Sequence, residues 1–378
     1  MKILYVFRSL AIWGGIERIL VDKMNYLVNN YGYDVFLLTA NQGDHPIPYR
    51  LSDRVIKEDL NIRFHDQYNY KGVHRLWDRF KRIRMFRKKL KNKIRDIKPD
   101  IIVCVADGYQ VSIVKVKGKI PLLVEAHNNY SYLFQGHGLF QRLAFRQQRR
   151  YLLKVQAIVT LTQADANFWK RKYENVNVIP NFVQLNNTGI FSTNDNKRVI
   201  FVGRIVEQKR IFDVLDIWQK VFQQYPDWQL DIFGDGSGEY REQVECIYRK
   251  QNANIVIHSP TNKIFDYYRK SDLLILTSEY EPFGLVIPEA MSCGLPVVSY
   301  RSPFGPESII TDGQNGFLVP LGNKDAFVDR LTFLMGNLSL RQEMGRRAVI
   351  SSQRYSANII MPKWKTLFER LVGTNSDT

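Results

Sequence analysis

The sequence predicts an α/β protein with two Rossmann-like domains that face each other across a cleft. Three observations predict this fold. The chain has 378 residues, more than one hydrophobic core comfortably serves. Short apolar, β-rich runs alternate with amphipathic segments of helix length, which is typical of parallel sheets with helical crossovers. The alternation stops at a polar stretch and then restarts.

The first half of the chain contains the first set of strands and helices. KILYVF at 2–7 predicts a strand, 16–30 an amphipathic helix and 33–39 a second strand. Further strands are predicted at 100–106, 120–126 and 155–161. The polar residues 184–197 are predicted to be a linker. We therefore expect an N-terminal Rossmann-like domain over 1–185.

The pattern restarts after the linker. Strands are predicted at 198–204, 230–236, 272–278 and 296–300. These runs predict a second Rossmann-like domain over 186–355, and we expect 356–378 to be a C-terminal helix that packs back on the N-terminal domain. Ligands of open parallel sheets bind beyond the carboxyl ends of the strands, so functional residues are expected on the loops that follow strands.

A glycine pair, Gly14 and Gly15, lies between the first strand and the first helix. Glycines at a helix start let backbone N–H groups approach an anion. The alternative is a tight structural turn, because the segment lacks a full dinucleotide fingerprint and a phosphate-loop lysine.

Two cations, Arg204 and Lys209, follow the first strand of the second half. A planar guanidinium and an ammonium on one loop suit a diphosphate and could neutralise charge that builds on a leaving nucleotide. A solvated surface pair, or a salt bridge to Glu207, is the alternative.

Two carboxylates, Glu281 and Glu289, flank a glycine loop and a helix start. Carboxylates accept hydrogen bonds from sugar hydroxyls, and the amides of Phe283, Gly284 and Leu285 could point at a phosphate. Glu289 taken alone could equally stabilise the helix by placing a negative charge near its positive N-terminal end.

His127 follows a predicted strand in the segment EAHNNY. This position is suitable for a role in the cleft. A hydrogen-bonded structural histidine is the alternative interpretation of the residue by itself.

Taken together, these elements resemble a known family over nearly the whole chain. They are Gly14-Gly15, His127, IPNFV at 179–183, VGRIVEQKR at 202–210, FGDGSGE at 233–239, the pair Glu281 and Glu289, and GPESIITDGQNGFLV at 305–319. The series looks like the retaining nucleotide-sugar glycosyltransferases of the GT-B architecture (glycosyltransferase family four, "glycosyl transferases group one").

The resemblance implies roles for the second domain. The residues matching Arg204 and Lys209 bind the donor diphosphate, the one matching Glu289 binds the nucleotide ribose, and the one matching Glu281 contacts hydroxyls of the donor sugar. Many relatives have Lys-Gly where this chain has Lys209-Arg210, so a different local turn is expected here.

The resemblance also implies roles for the first domain. The glycine loop at Gly15 closes on the phosphates, and the histidine matching His127 lies near the transferred sugar. Attack occurs on the face that the diphosphate leaves, so no protein general base is named. The reaction implied is a hexosyl transfer to an acceptor hydroxyl with retention at the anomeric carbon.

No metal or cofactor is expected. The sequence has no Asp-x-Asp element for a divalent cation, so cationic side chains would take the place of a metal, and the nucleotide sugar is a substrate. The resemblance favours a uridine diphosphate sugar and a lipid-linked glycan acceptor in the assembly of surface polysaccharide or lipopolysaccharide.

The net charge of +17 is confined to the first half. Residues 1–190 contain 32 Lys and Arg against 15 Asp and Glu, whereas 191–378 contain 22 of each. Residues 71–98 contain 13 cations and two acids around a helical apolar stripe, and 138–154 add five cations. We expect this surface to meet an anionic membrane. Arg82, Arg87, Lys88 and Lys89 are the residues expected to contact the membrane surface. In the alternative interpretation, the apolar stripe packs on the domain core and the charged side chains are solvated.

The N-terminus lacks a cleavable signal pattern and no run is long and apolar enough to span a membrane. We expect a cytoplasmic protein associated peripherally with the inner face of the cell membrane. Two other functions stay open: a sugar-nucleotide epimerase or hydrolase of the same architecture, and a basic nucleic-acid-binding protein. The basic stretches contain no nucleic-acid reader motif, so no nucleic acid is expected as a partner.

Overall fold

A computed structural model describes residues 1–134, 138–250 and 253–373. The chain divides into two compact units. Unit 1 comprises Met1–Pro180 together with the chain from Ile360 onward, and unit 2 comprises Asn181–Ile359. The expected boundaries, after 185 and after 355, lie a few residues from these positions.

Unit 1 contains a seven-stranded parallel sheet in the described part of the chain. The strands are β1 Lys2–Phe7, β2 Asp34–Thr39, β3 Ile56–Asp59, β4 Ile101–Val105, β5 Leu122–Ala126, β6 Ala157–Thr160 and β7 Val176–Val178. Their order, β3-β2-β1-β4-β5-β6-β7, reverses direction next to β1. This is the doubly wound arrangement of a Rossmann-like fold.

The helices of unit 1 follow the strands. They are α1 Gly15–Asn30, α2 Gly72–Ile97, α3 Gln110–Val114, α4 Tyr130–Leu133, α5 Leu139–Leu152 and α6 Gln163–Trp169. A 3-10 turn, Phe64–Asn69, precedes α2. The central strands β4 and β5 are buried along their whole length because both faces of the sheet are covered.

Unit 2 contains a parallel sheet in the order β10-β9-β8-β11-β12-β13. Its strands are β8 Arg198–Val202, β9 Gln229–Phe233, β10 Ile255–His258, β11 Leu273–Leu276, β12 Val297–Tyr300 and β13 Gly316–Val319. The order again reverses beside the first strand of the unit. The predicted fold class, an α/β protein with two Rossmann-like domains, is therefore confirmed.

The helices of unit 2 cover both faces of its sheet. They are α7 Ile211–Gln224, α8 Glu239–Lys250, α9 Ile264–Arg269, α10 Val286–Ser292, α11 Gly305–Ile309, α12 Lys324–Met335 and α13 Leu338–Ser352, followed by α14 Ala357–Gly373. Short 3-10 turns lie at Glu207–Lys209 and Gln353–Tyr355. Trp218, Phe201 and Phe327 are fully buried in the core.

The polar stretch at 184–197 is not a free linker, contrary to our expectation. Its side chains and amides bond to unit 2. The Ser192 amide donates to the Cys293 carbonyl at 2.8 Å, and Asn194 Nδ2 donates to the Gly294 carbonyl at 3.1 Å. Arg341, 3% exposed, donates to the Asn194 carbonyl. Polar composition predicted solvent exposure here, but these polar groups find partners in the fold instead.

Helix α14 returns to unit 1. From Ile360 onward the chain clusters with that unit, and Trp364, Leu367 and Phe368 are buried. Arg370 Nη2 donates to Asn177 Oδ1 at 2.8 Å. Residues 374–378, the end of the helix expected at 356–378, lie outside the described residues. No helix in the described ranges is long and apolar enough to cross a membrane.

Candidate active site

The loop after β8 carries Arg204 and is held by the loop after β9. The Gly203 amide donates to the Phe233 carbonyl at 2.9 Å. A Cβ on Gly234 would lie 2.0 Å from the Gly203 carbonyl oxygen, so this close approach requires glycine. The Arg204 side chain is exposed beyond the carboxyl end of the sheet. Within the described ranges it has no hydrogen-bond or ion-pair partner, which leaves all its N–H donors available for a ligand.

Lys209 and Glu281 form an ion pair although they are 72 residues apart in the chain. Each side chain is 13% exposed. The backbone supports the pair: Thr277 Oγ1 donates to the Lys209 carbonyl at 2.8 Å, and the Glu279 amide donates to the Gln208 carbonyl at 2.9 Å. The 3-10 turn before α7 is thus fixed to the segment that follows β11. Lys209 therefore pairs with Glu281 and not with Glu207, the alternative partner considered from the sequence.

Arg210 adopts a left-handed backbone conformation, with φ at 51°. Residues other than glycine are destabilised by roughly 1–2 kcal/mol in this conformation. In this chain Arg210 Nε donates to Asp213 Oδ2 at 2.8 Å, and this bond, ahead of the opposing effect of burial, raises the pKa of Arg210. This bond holds the Arg210 side chain against the first turn of α7 while its backbone is left-handed.

Glu281 begins a tightly folded loop. Gly284 has a φ of +83°, and a Cβ there would lie 3.1 Å from Glu281 Cγ. The Gly305 amide donates to the Glu281 carbonyl at 2.9 Å. A Cβ on Gly305 would lie 2.5 Å from the Phe283 carbonyl oxygen, so the segment GPES packs its backbone directly against the loop. Glycine at both positions fixes the backbone around Glu281.

The loop also presents backbone donors. The amides of Phe283, Gly284 and Leu285 donate no hydrogen bond to any residue that the structure describes. The Phe283 side chain is 3% exposed and packs edge-on against Tyr355, with ring centroids 5.4 Å apart. The Phe283 side chain thus contributes to packing. Only its backbone amide is a candidate to donate a hydrogen bond to an anion.

Glu289 lies in the first turn of α10 and is 1% exposed. Pro288 precedes it at the third residue of the helix, where a missing N–H is tolerated. The carboxylate therefore lies near the positive end of the helix. This position is compatible with both interpretations of Glu289, as a helix-end charge and as a ligand-binding group.

In unit 1, Gly14 caps α1 and Gly15 is the first residue of that helix. A Cβ on Gly14 would lie 2.1 Å from Glu17 Oε2. Glu17 is 2% exposed and pairs with Arg8 at 3.4 Å. The Glu17 carboxylate therefore folds back over Gly14.

His127 directly follows β5 and is 4% exposed. Its Nε2 lies 2.9 Å from Glu125 Oε2, and Lys23 Nζ donates to the same oxygen at 2.5 Å. Sequence reasoning missed Glu125 and Lys23. The available signal was a carboxylate inside the otherwise apolar run LLVEA of a central strand, since a buried charge needs a partner.

Most of the α2 cations selected for a membrane surface also make contacts within unit 1. Arg82 donates to Asp78 and to the Ile62 carbonyl, Lys89 donates to the Leu60 carbonyl, and Arg87 donates to Ser112. Three of the four cations selected for a membrane are thus engaged within unit 1, and Lys88 is an exposed member of the set. The contacts of these three follow from their place beside the buried Phe86, Leu90 and Ile94.

The first half of α2 is exposed, including its apolar residues. The exposed fractions are 78% for Val73, 60% for Leu76, 69% for Trp77 and 65% for Phe80. The predicted apolar stripe therefore packs on the core only in the second half of the helix, at Leu90 and Ile94. The exposed cations of the first half are Arg75, Arg79, Lys81 and Arg84.

Across residues 1–134, 138–250 and 253–373, His, Cys, Asp and Glu form no group of three or more that could hold a metal ion. Arg204, Lys209, Glu281 and Glu289 all belong to unit 2, with the amides of 283–285. Gly14, Gly15 and His127 belong to unit 1.

Comparison with known proteins gives the family of each half. Residues 187–349 match the family described as glycosyl transferases group 1, and residues 13–187 match Glycosyltransferase Family 4. An uncharacterized glycosyltransferase of Haemophilus influenzae is 27% identical over 96% of this chain and 99% of its own length. The amylovoran biosynthesis glycosyltransferase AmsD of Erwinia amylovora is 27% identical over 97% of this chain and 99% of its own length.

The fold is also that of solved proteins. A mutant of S. aureus TarM, in complex with Fondaparinux, alpha-GlcNAc-glycerol and UDP, superposes with a TM-score of 0.78. It is 17% identical, and the alignment covers 97% of this chain and 99% of that one. At 17% sequence identity, this similarity establishes the fold alone.

Proposed function

Because the chain belongs to the glycosyl transferases group 1 family, we propose that it is a retaining hexosyltransferase that uses a nucleotide diphosphate sugar. The observation that carries the proposal is the arrangement in unit 2. Lys209 and Glu281 meet there in an ion pair, while the neighbouring Arg204 presents donors that no described residue occupies. Two cations beside a carboxylate suit a sugar donor whose diphosphate leaves.

In the proposed reaction, the bond between the anomeric carbon and the phosphate oxygen breaks as the acceptor oxygen bonds on the same face. The acceptor hydroxyl proton passes to the departing phosphate oxygen. Arg204 and Lys209 stabilise the charge that develops on the nucleoside diphosphate. The protein contributes orientation and electrostatic stabilisation, so the step needs no general base from a side chain.

The remaining residues orient the substrates. Glu281 accepts hydrogen bonds from hydroxyls of the donor sugar, and Glu289 accepts from the ribose. The amides of Phe283, Gly284 and Leu285 supply further donors to the diphosphate. In unit 1, Gly15 approaches the phosphates and His127 lies by the transferred sugar. Unit 1 holds the acceptor and unit 2 the nucleotide.

Uridine diphosphate sugars are our first choice of donor, and a lipid-linked glycan of a surface polysaccharide or lipopolysaccharide is our choice of acceptor. Two comparisons support this choice. UDP is bound in the TarM mutant structure, and AmsD acts in amylovoran biosynthesis according to its description. The cationic loop replaces a divalent metal in this scheme, so the enzyme is metal-independent.

A thermal-shift screen of nucleotide sugars tests the donor. A ligand that binds the native state raises its melting temperature. We expect a UDP-sugar to raise it, and we expect the Arg204→Ala variant to lose the shift while keeping its own melting temperature. Turnover of donor at an undiminished rate without any acceptor would indicate a sugar-nucleotide epimerase or hydrolase instead.

A peripheral position on the inner face of the cell membrane completes the proposal. The exposed Val73, Leu76, Trp77 and Phe80 supply an apolar face, and cations of the same half of α2 flank it. Such a helix lies in the interface of an anionic bilayer, with its apolar side chains at the headgroup boundary. A lipid-linked acceptor would then be within reach of unit 1.

A further inference from the structure

Three charged or titratable side chains of unit 1 form a buried group. Lys23 lies on α1, Glu125 lies near the end of β5 and His127 follows that strand. Lys23 and Glu125 are each 2% exposed and His127 is 4% exposed. Lys23 Nζ and His127 Nε2 both contact Glu125 Oε2, at 2.5 and 2.9 Å. Glu125 thus joins a buried cation to the imidazole.

The electrostatics of the group keep Glu125 ionised. Burial raises the pKa of Glu125, but Lys23 and His127 together outweigh it and lower that pKa to about 2. Burial, more than the charge of Glu125, raises the pKa of the nearby Tyr5. Burial, ahead of the charges of Asp107 and Glu125, raises the pKa of Cys104, so both groups are neutral. Burial lowers the pKa of Lys23 and Glu125 opposes this effect. Glu125 is therefore balanced by a cation from a different element.

An ionised carboxylate only accepts hydrogen bonds. The contact at Glu125 Oε2 therefore places a hydrogen on Nε2 of His127. Nδ1 is the nitrogen that Glu125 does not engage. The hydrogen bond also fixes the rotation of the imidazole, as carboxylate partners do for functional histidines elsewhere.

The C-terminal helix closes this group. Lys23 Nζ lies 3.6 Å from the ring centroid of Trp364 on α14. Trp364 is 2% exposed. A cation against the face of an indole is attracted to it, most strongly when water is excluded. Trp364 therefore helps to hold the Lys23 ammonium against Glu125.

We propose that Glu125 and Lys23 are positioning residues for His127 in sugar transfer, with Trp364 supporting Lys23. This inference rests on the proposed function, in which His127 lies by the transferred sugar. Glu125 presents Nδ1 of His127 to the substrate by holding the hydrogen on Nε2. Lys23 keeps Glu125 ionised, so that it accepts that hydrogen and donates none.

A double-mutant cycle on kcat tests the positioning role. We expect Glu125→Gln to lower kcat at least about tenfold, with the KM for donor changed less than about twofold, the range typical of partners that orient a functional histidine. In a His127→Ala background the same change should cost less than about twofold, because there is no imidazole left to position. Equal losses in the two backgrounds would overturn the proposal.

Lys23→Met with Glu125→Gln is the second variant, because it removes both charges and keeps the buried volume. It should fold even if the single variants do not, since a buried pair is often replaced without loss of stability. We expect its kcat to fall as in Glu125→Gln. Wild-type kcat in the double variant would overturn the proposal.

Imidazole ¹⁵N chemical shifts of His127 test the same idea without turnover. The protein has six histidines, and the signal lost in His127→Ala assigns the residue. We expect hydrogen on Nε2 and not on Nδ1 in the wild type, and a mixture of tautomers in Lys23→Met with Glu125→Gln. An unchanged tautomer would overturn the proposal. A wild type that turns over no nucleotide sugar would instead contradict the proposed function, and the tautomer result would still stand.

Discussion

At the scale of single residues, the unit 2 site depends on contacts that join distant parts of the chain. Lys209 and Glu281 pair across 72 positions, and Thr277 holds the backbone of Lys209. Sequence reasoning placed both residues on loops after strands, because these loops share one edge of a parallel sheet. It could not predict the pair itself, since the distance between two loop side chains depends on the glycine contacts of both loops.

The first prediction concerns the two cations. Arg204→Ala and Lys209→Ala should each lower turnover by about a hundredfold or more, because both side chains face the charge that develops on the diphosphate. Steady-state kinetics and melting temperature measure the effect. Lys220→Ala is the control, since Lys220 is a half-exposed cation of unit 2 that pairs with Asp325. Normal turnover in either site variant would exclude that residue from the site.

The second prediction concerns the turn at Arg210. Arg210→Gly should leave the melting temperature close to wild type, because glycine relieves the left-handed strain and Asp213, 8% exposed, keeps Tyr300 and Lys324 as partners. Arg210→Val should lower stability by about 2 kcal/mol, since a β-branched residue is strained there. Equal melting temperatures for the two variants would show that the turn carries no strain.

At the scale of elements, hydrophobic periodicity predicted the long segments well. Helix α2 was expected over 71–98 and spans Gly72–Ile97. Strands β3, β7, β10 and β13 were not predicted. Each is short and none is buried along its whole length, unlike the equally short β6, β11 and β12. Such short strands carry little pattern of their own and depend on the neighbouring strand.

Periodicity could not show where a helix leaves the core. In α2 the same apolar stripe is buried at Leu90 and Ile94 and exposed at Val73, Trp77 and Phe80. Its length exceeds what the sheet can cover, and only the fold reveals which half is covered. The exposed half adds an apolar face and the cations Arg75, Arg79, Lys81 and Arg84 to the predicted membrane surface.

The third prediction concerns this exposed half. Changing Leu76, Trp77 and Phe80 together to Ser should reduce sedimentation with phosphatidylglycerol vesicles, because these side chains supply the apolar contact. Changing Arg75, Arg79, Lys81 and Arg84 to Gln should weaken binding at low salt, since each cation near an anionic leaflet contributes about 1 kcal/mol. Salt should weaken wild-type binding by screening.

Turnover provides the control for the membrane variants. Both should keep wild-type rates on a soluble acceptor analogue and lose activity on a lipid-linked acceptor in vesicles. A wild-type protein that ignores anionic vesicles at low salt would contradict the membrane proposal. The stretch would then be a solvated helix with an unexplained apolar face.

At the scale of the whole molecule, two Rossmann-like units share one chain, and α14 returns from unit 2 to unit 1. Repeated strand and helix patterns predicted two domains. The last helix was also expected to pack back on the N-terminal domain. The amphipathic pattern of α14 predicts that one of its faces is buried. Which unit buries that face depends on long-range contacts, such as that of Trp364 with Lys23.

The fourth prediction concerns metal dependence of the complete enzyme. Activity should survive excess EDTA, because Arg204 and Lys209 supply the positive charge that a divalent ion would bring. Turnover of dialysed protein with and without EDTA measures this. Complete loss of activity that magnesium or manganese restores would contradict the assignment of the two cations.

The stereochemistry of transfer tests the proposed retaining reaction most directly. The protein would be incubated with a UDP-α-sugar and an acceptor, and the anomeric configuration of the new linkage would be read from its ¹H NMR coupling as it forms. We predict an α-linked product and a requirement for acceptor, because the acceptor attacks on the face that the diphosphate leaves. A β-linked product, or the same rate of donor turnover without acceptor, would contradict that reaction.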